Sequence, residues 1–129
     1  MKSEKQLKVK ARDDMFNRKV LEQRLCSILV SPEAHQRKES IKHLDSGLNH
    51  VLAAIAAKNK IAIGIDIEDI SHLPKKEKAQ RLARIKQNLK ITRKTKTSSA
   101  IHGSNQGIYV LLSLGASTTQ AKEAQTQSF

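Results

Sequence analysis

The chain has 129 residues, enough for one domain with a modest core. Lys and Arg number 24 against 12 Asp and Glu, a net charge of +12, while the aromatic rings are confined to Phe16, Tyr109 and Phe129. So few rings disfavour proteins that read single strands by stacking bases on exposed aromatics, and a single cysteine, Cys26, excludes an internal disulfide and any zinc-finger spacing.

The first residues, MKSEKQLKVKARDD, lack the apolar core of a signal peptide, and no apolar run approaches the roughly 18 residues of a spanning helix. The cytoplasm is the expected location. Residues 3–30 read as one helix: Leu7, Ala11 and Met15 are four apart, and Phe16, Val20, Leu21, Leu25, Ile28 and Leu29 continue a drifting stripe. That stripe would serve a monomer core or a homodimer face equally well. Cys26 lies within it and reads as a buried thiol.

Ser31-Pro32-Glu33 carries the signals of a helix start, and a helix is expected from there to about Ser46, with Gly47 ending it. A third helix follows over 48–58. Two helices about a glycine suggest a helix-turn-helix, but the second, LNHVLAAIAAK, is nearly all apolar and lacks polar side chains for base edges. Core packing is the better account. His35, Glu39 and His43 fall on one helical face, a pattern that ordinary surface histidines explain; no metal ligand set is assigned.

Ile61, Ile63, Ile65 and Ile67 then alternate with Ala62, Gly64, Asp66 and Glu68, which predicts a strand. Its expected partner is 108–114, IYVLLSL, in a strand–helix–strand unit, or else 91–97 pairs with 108–114 as a hairpin about the turn at 100–107. The stretch GIDIED, 64–69, resembles the short metal-binding strand of phosphopantetheinyl transferases, which would make Asp66 and Glu68 magnesium ligands. That family's Trp/Phe-x-x-Lys-Glu-Ala element is missing, so neither a cofactor nor a catalytic residue is assigned. KIAIGI, 60–65, followed by a basic helix, is similar to a stretch of ProQ/FinO-type RNA chaperones, although that family's Tyr and Asp-Leu-Asp-Gly elements are absent.

Residues 75–96 hold ten bases, Lys75, Lys76, Lys78, Arg81, Arg84, Lys86, Lys90, Arg93, Lys94 and Lys96, against the single acid Glu77, so three quarters of the excess charge sits in one segment. Leu82, Ile85 and Leu89 give it a narrow apolar stripe, predicting a helix that frays after Ile91, with Lys76, Arg81 and Arg84 projecting outward. Positive charge at this density repels itself, and a polyanion relieves the repulsion. After Gly115 the chain is polar and of low complexity, which predicts a disordered tail or a marginal helix.

These readings combine into a mainly α (α+β) domain over 1–115: a small helical domain with a short two-strand β element, a basic helix, and a disordered, flexible tail over 116–129. The expected function is non-enzymatic nucleic-acid binding, to DNA or RNA, with the ten bases of 75–96 neutralising phosphates. The alternative is a protein-interaction module, an adaptor, chaperone or delivered effector whose basic face docks an acidic protein.

Overall fold

The isoleucine alternation does form a strand, and the rest of the architecture is arranged around it. The computed structural model describes residues 7–34, 46–103 and 107–129. Four strands, β1 (Lys8–Lys10), β2 (Ile28–Val30), β3 (Ala62–Asp66) and β4 (Ser99–His102), form one sheet in the order β1-β2-β3-β4. Every neighbouring pair is parallel, with Val9 opposite Leu29, Leu29 opposite Ile63 and Ile63 opposite Ser99.

The connections are helical: α1 (Asp14–Glu22) after β1, α2 (His50–Lys58) before β3, α3 (Ile67–Ser71) and α4 (Lys75–Thr95) between β3 and β4, then α5 (Gly107–Ser113) and α6 (Thr118–Thr126). Right-handed crossovers between strands laid down in sequential order place successive helices on the same face. The core follows that layering. Leu29 and Ile63 pack with Val20 and Leu21 of α1 and Leu52, Ala53 and Ala56 of α2. Ile65 and Ile101 pack with Ile85 and Leu89 of α4, Leu111 of α5, and Ala121 and Ala124 of α6. The opposite face carries only a thin cluster, Ile28, Ala62 and Ala100 with Val30 and Phe129.

Local chemistry places each boundary. Asp13 caps α1 by accepting from Phe16 N at 2.8 Å. Asn49 caps α2 through Leu52 N at 2.9 Å. Asp66 ends β3 and caps α3 through Asp69 N at 3.0 Å, which is why the alternation stops at Ile67. Each accepts one of the orphan N–H groups of a helix start.

The mainly helical, two-strand expectation is therefore overturned by a four-stranded parallel α/β sheet. The helix expected over 3–30 is instead β1, α1 and β2. The four-residue spacing of Leu7, Ala11 and Met15 ran across a strand, a loop and a helix, and two of the three are exposed, Leu7 at 55% and Met15 at 84%. The apolar run Ile28–Val30 is a strand within a parallel sheet, which shows little alternation. The strand–helix–strand unit exists, but the strand that joins β3 is Ser99–His102, overlapping the start of the expected turn at 100–107, while 108–113 lie in α5. Of the disordered tail and the marginal helix expected after Gly115, the helix forms: Ser117 and Gln120 make a capping box at the start of α6, and Gln120 Nε2 donates to Leu89 O at 2.9 Å. Pro32–Ala34 is a single 3-10 turn. The expectations for 35–45, His35 and His43 among them, for the start of the chain through residue 6, and for Asn105 lie outside the described residues.

Gly64 is where the open face is tightest, since a Cβ there would stand 2.8 Å from Ile28 Cγ2 and 3.0 Å from Phe129 Cζ. Gly64→Val should lower stability by about 1–3 kcal/mol in urea unfolding, the usual cost of overpacking.

Candidate nucleic-acid interface

The basic segment forms α4 almost as anticipated, but it runs on to Thr95 and ends on Lys96 in a left-handed conformation, φ 58°. A helix turns by about 100° per residue, so its ten bases cannot all point one way. Burial shows how they divide. Lys75, Lys76, Lys86, Lys90, Arg93 and Lys94 are exposed, as are Ala79 and Ala83 between them. At 3.6 residues per turn these eight positions fall within an arc of about 100° that runs some 28 Å along the axis. Glu77 lies outside that arc, and among the described residues none of the six bases is held in an ion pair. Lys96 is exposed at the helix end, and Lys78 is half-buried at the margin of the apolar stripe.

Arg81 and Arg84 were expected on the outer face, but they point inward. Arg81 is 8% exposed. Its Nη1 donates to Asp69 Oδ2 at 2.6 Å and its Nη2 to Glu33 Oε2 at 3.1 Å. Arg84 Nη1 donates to the backbone oxygen of Glu33 at 3.1 Å. Glu33 follows β2 and Asp69 follows β3, so the two arginines join the carboxyl ends of two strands to the first half of α4. Further along the same side, Asn88 Nδ2 donates to Ser46 O at 3.1 Å, and Ile85, Leu89 and Ile91 enter the core.

The electrostatics of the cluster are uneven. Burial raises the Glu33 carboxyl to about 7, against the pull of Arg81. Asp69, about half exposed, is held below its ordinary value, chiefly by the hydrogen bond from Arg81. Burial would lower Arg81, but the bond from Asp69 and the charge of Glu33 outweigh it and the guanidinium is raised. Sequence reading missed both carboxylates: Glu33 looked like a residue of a helix start, and Asp69 like a solvated strand end. Asp66 and Glu68, the candidate ligands, have structural roles here, Asp66 as the α3 cap and Glu68 with an oxygen 3.4 Å from His102 Nε2. Burial pushes the Cys26 thiol up to about 11, in keeping with the buried position read from sequence.

No family model matches the chain. It is similar to proteins named "Ribonuclease P protein component 3" from two strains of Methanococcus maripaludis, at 28% and 29% identity over 103 residues. Those matches cover 80% of this chain but 41% of either relative, so the chain spans about two fifths of their length. Among solved structures, a chain of an archaeal ribonuclease P seen by cryo-EM with mature tRNA superposes with a TM-score of 0.70 at 23% identity. That match covers 92% of this chain and 53% of the other, and establishes the parallel α/β fold.

The division of the basic residues has measurable consequences. Arg81→Gln leaves Glu33 buried without its charge partner and should cost about 3–5 kcal/mol in denaturant unfolding at pH 8; the same change at Lys86 or Lys90 should leave the midpoint unmoved. Because the folded Glu33 carboxyl is raised, its favourable contribution is complete below the ordinary value of 4.5 and is lost as pH rises through about 7. Thermal unfolding followed from pH 4.5 to 8 should show this decline, with Glu33→Gln flattening a loss on the order of 3 kcal/mol.

Proposed function

We propose that this chain is a non-catalytic RNA-binding protein that works within a ribonucleoprotein of the ribonuclease P type. The observation that carries the reading is the acid-free arc of six bases on the outer side of α4. The opposite side of that helix is held by ion pairs and apolar packing, so the arc is presented on a rigid element. Its near lack of aromatic residues suits contact through phosphates and shape, the way structured RNA is bound, better than base stacking. The choice of RNA over DNA rests on the likeness to the archaeal ribonuclease P component and on the fold shared with a chain of the tRNA-bound assembly. Lys75, Lys76, Lys86, Lys90, Arg93 and Lys94 would meet the phosphates, Lys78 and Lys96 would lie at the margins, and Arg81 and Arg84 would hold the helix in place.

Self-repulsion within the arc supports the same conclusion. Lys86, Lys90 and Lys94 follow one another at spacings of four, an arrangement that costs a few tenths of a kcal/mol per pair in a bare helix. A polyanion reverses the sign of that term.

If all six bases engage phosphates, log affinity should fall with log salt at a slope of about −4 to −5. Anisotropy titrations with a folded tRNA-like RNA should show it, with weaker binding to duplex DNA of the same length. Replacing Lys86, Lys90, Arg93 and Lys94 together by Gln should remove about 3 from the slope without lowering the melting temperature. An unchanged slope in that variant would reject the arc as the interface.

A further inference from the structure

The bases on the outer side of α4 are not evenly spaced. Lys75 and Lys76 stand in its first turn, and the next base on the arc is Lys86, on the order of 15 Å further along the axis. Lys90, Arg93 and Lys94 then continue to the end of the helix. In the gap the arc carries only Ala79 and Ala83, both exposed, because Arg81 and Arg84 are drawn inward to Glu33. The outer face is therefore two charged patches with nothing larger than a methyl group between them.

Such a gap suits one shape of polyanion. Phosphates along a single strand follow one another without interruption, and single strands are held by stacked rings as well as by charge. No residue of α4 carries an aromatic ring. A duplex presents two lines of phosphate with a groove between them, so each patch can take one line. The groove must be wide, and its floor must lie close to the phosphates, since an alanine side chain barely extends beyond the helix backbone. The minor groove of A-form RNA is wide and shallow and displays 2′-hydroxyls, whereas its major groove is deep and narrow. In B-form DNA the minor groove is only about 6 Å wide and the major groove about 8.5 Å deep. The first is too narrow to separate the patches, and the second is too deep for Ala79 and Ala83 to touch its floor.

Two amides border the same gap. Gln80 and Gln87 lie on one side of the helix, within about 40° of the margin formed by Lys76 and Lys94. Among the described residues neither side-chain amide is engaged in a hydrogen bond. An amide both donates and accepts, as a 2′-hydroxyl does.

We propose that α4 lies across the minor groove of an A-form RNA stem. Lys75 and Lys76 meet the phosphates of one strand, and Lys86, Lys90, Arg93 and Lys94 those of the other. Ala79 and Ala83 pass over the groove floor, and Gln80 and Gln87 bond to 2′-hydroxyls. This placement rests on the arc being an RNA interface, and it names the part of an RNA that the arc takes: a helical stem rather than a loop or an unpaired end.

The test uses the full chain in anisotropy titrations at about 0.15 M salt. The probes are an RNA hairpin with a stem of about 20 base pairs, a DNA hairpin of the same sequence, and an unstructured RNA strand of the same length. The RNA stem should bind at least about tenfold tighter than either of the others. Ala79→Leu with Ala83→Leu adds bulk without charge at exposed helical positions. With the fold intact by circular dichroism, it should weaken binding of the stem about tenfold and leave the unpaired strand unaffected. A stem bearing 2′-fluoro in place of 2′-hydroxyl keeps the A form and every phosphate. It should bind the wild type about threefold to tenfold more weakly than the RNA stem does, a difference that Gln80→Ala with Gln87→Ala should abolish. Stem and unpaired strand binding alike, leucines without effect, or 2′-fluoro and RNA stems binding the wild type equally would each overturn the placement across the groove. If the salt slope nevertheless falls when Lys86, Lys90, Arg93 and Lys94 are replaced by Gln, the arc itself stands as the interface. An unchanged slope in that variant removes the arc and the groove placement together.

Discussion

The pairing of Arg81 with Glu33 and Asp69 is the contact on which the placement of the candidate interface depends. One guanidinium, nearly buried, bonds to two carboxylates that come from the ends of two different strands. An ionised side chain in that position is tolerated only because its partners are already there. Removing Arg81 leaves Glu33, 1% exposed, buried with its desolvation uncompensated. The cluster thereby sets the rotation of α4 about its own axis. Once Arg81 points at Glu33, Lys86, Lys90, Arg93 and Lys94 must face the other way.

The ten bases of the segment consequently do two kinds of work. Two arginines act inward as planar donors, for which guanidinium geometry is suited. The lysines, with Arg93, act outward as solvated point charges. The raised carboxyl of Glu33 shows how strongly burial weighs on the inner group even with an arginine at hand. The outer charges have no such environment, and among the described residues none of the six is held in an ion pair. A single helix thus holds the domain together on one side and leaves a solvated basic face on the other.

Much of this was legible from the linear chain where the signal was strong and local. The density of charge over 75–96 located the helix, and the isoleucine alternation located β3. The third helix, expected over 48–58, forms as His50–Lys58. What was misread has a common cause: strands of three or four residues are too short to show a period. KVK, ILV and SAIH are three or four residues each, no more than two periods of a strand alternation. The β-branched run IYVLLSL had the composition of a strand, yet its place after β4 made it part of the helix layer, where Leu111 is buried and Tyr109 exposed. The polar tail lacked apolar bulk, but Ala121 and Ala124 are small enough for α6 to lie close on the core, so little bulk was needed.

By itself, then, the sequence determined that the chain is strongly basic, that the excess is concentrated in one helix, and that this helix has a thin apolar side. These are properties of composition and of spacings within one turn of neighbours. It could not determine which of the ten bases face outward, because that is decided by Glu33 and Asp69, which are 48 and 12 residues away from Arg81 along the chain. Nor could it determine the parallel sheet, whose hydrogen bonds all join segments distant in sequence. Those pairings exist only after the chain has closed on itself, and the physical reason is that a buried charge and an unpaired backbone group both find their partners through space.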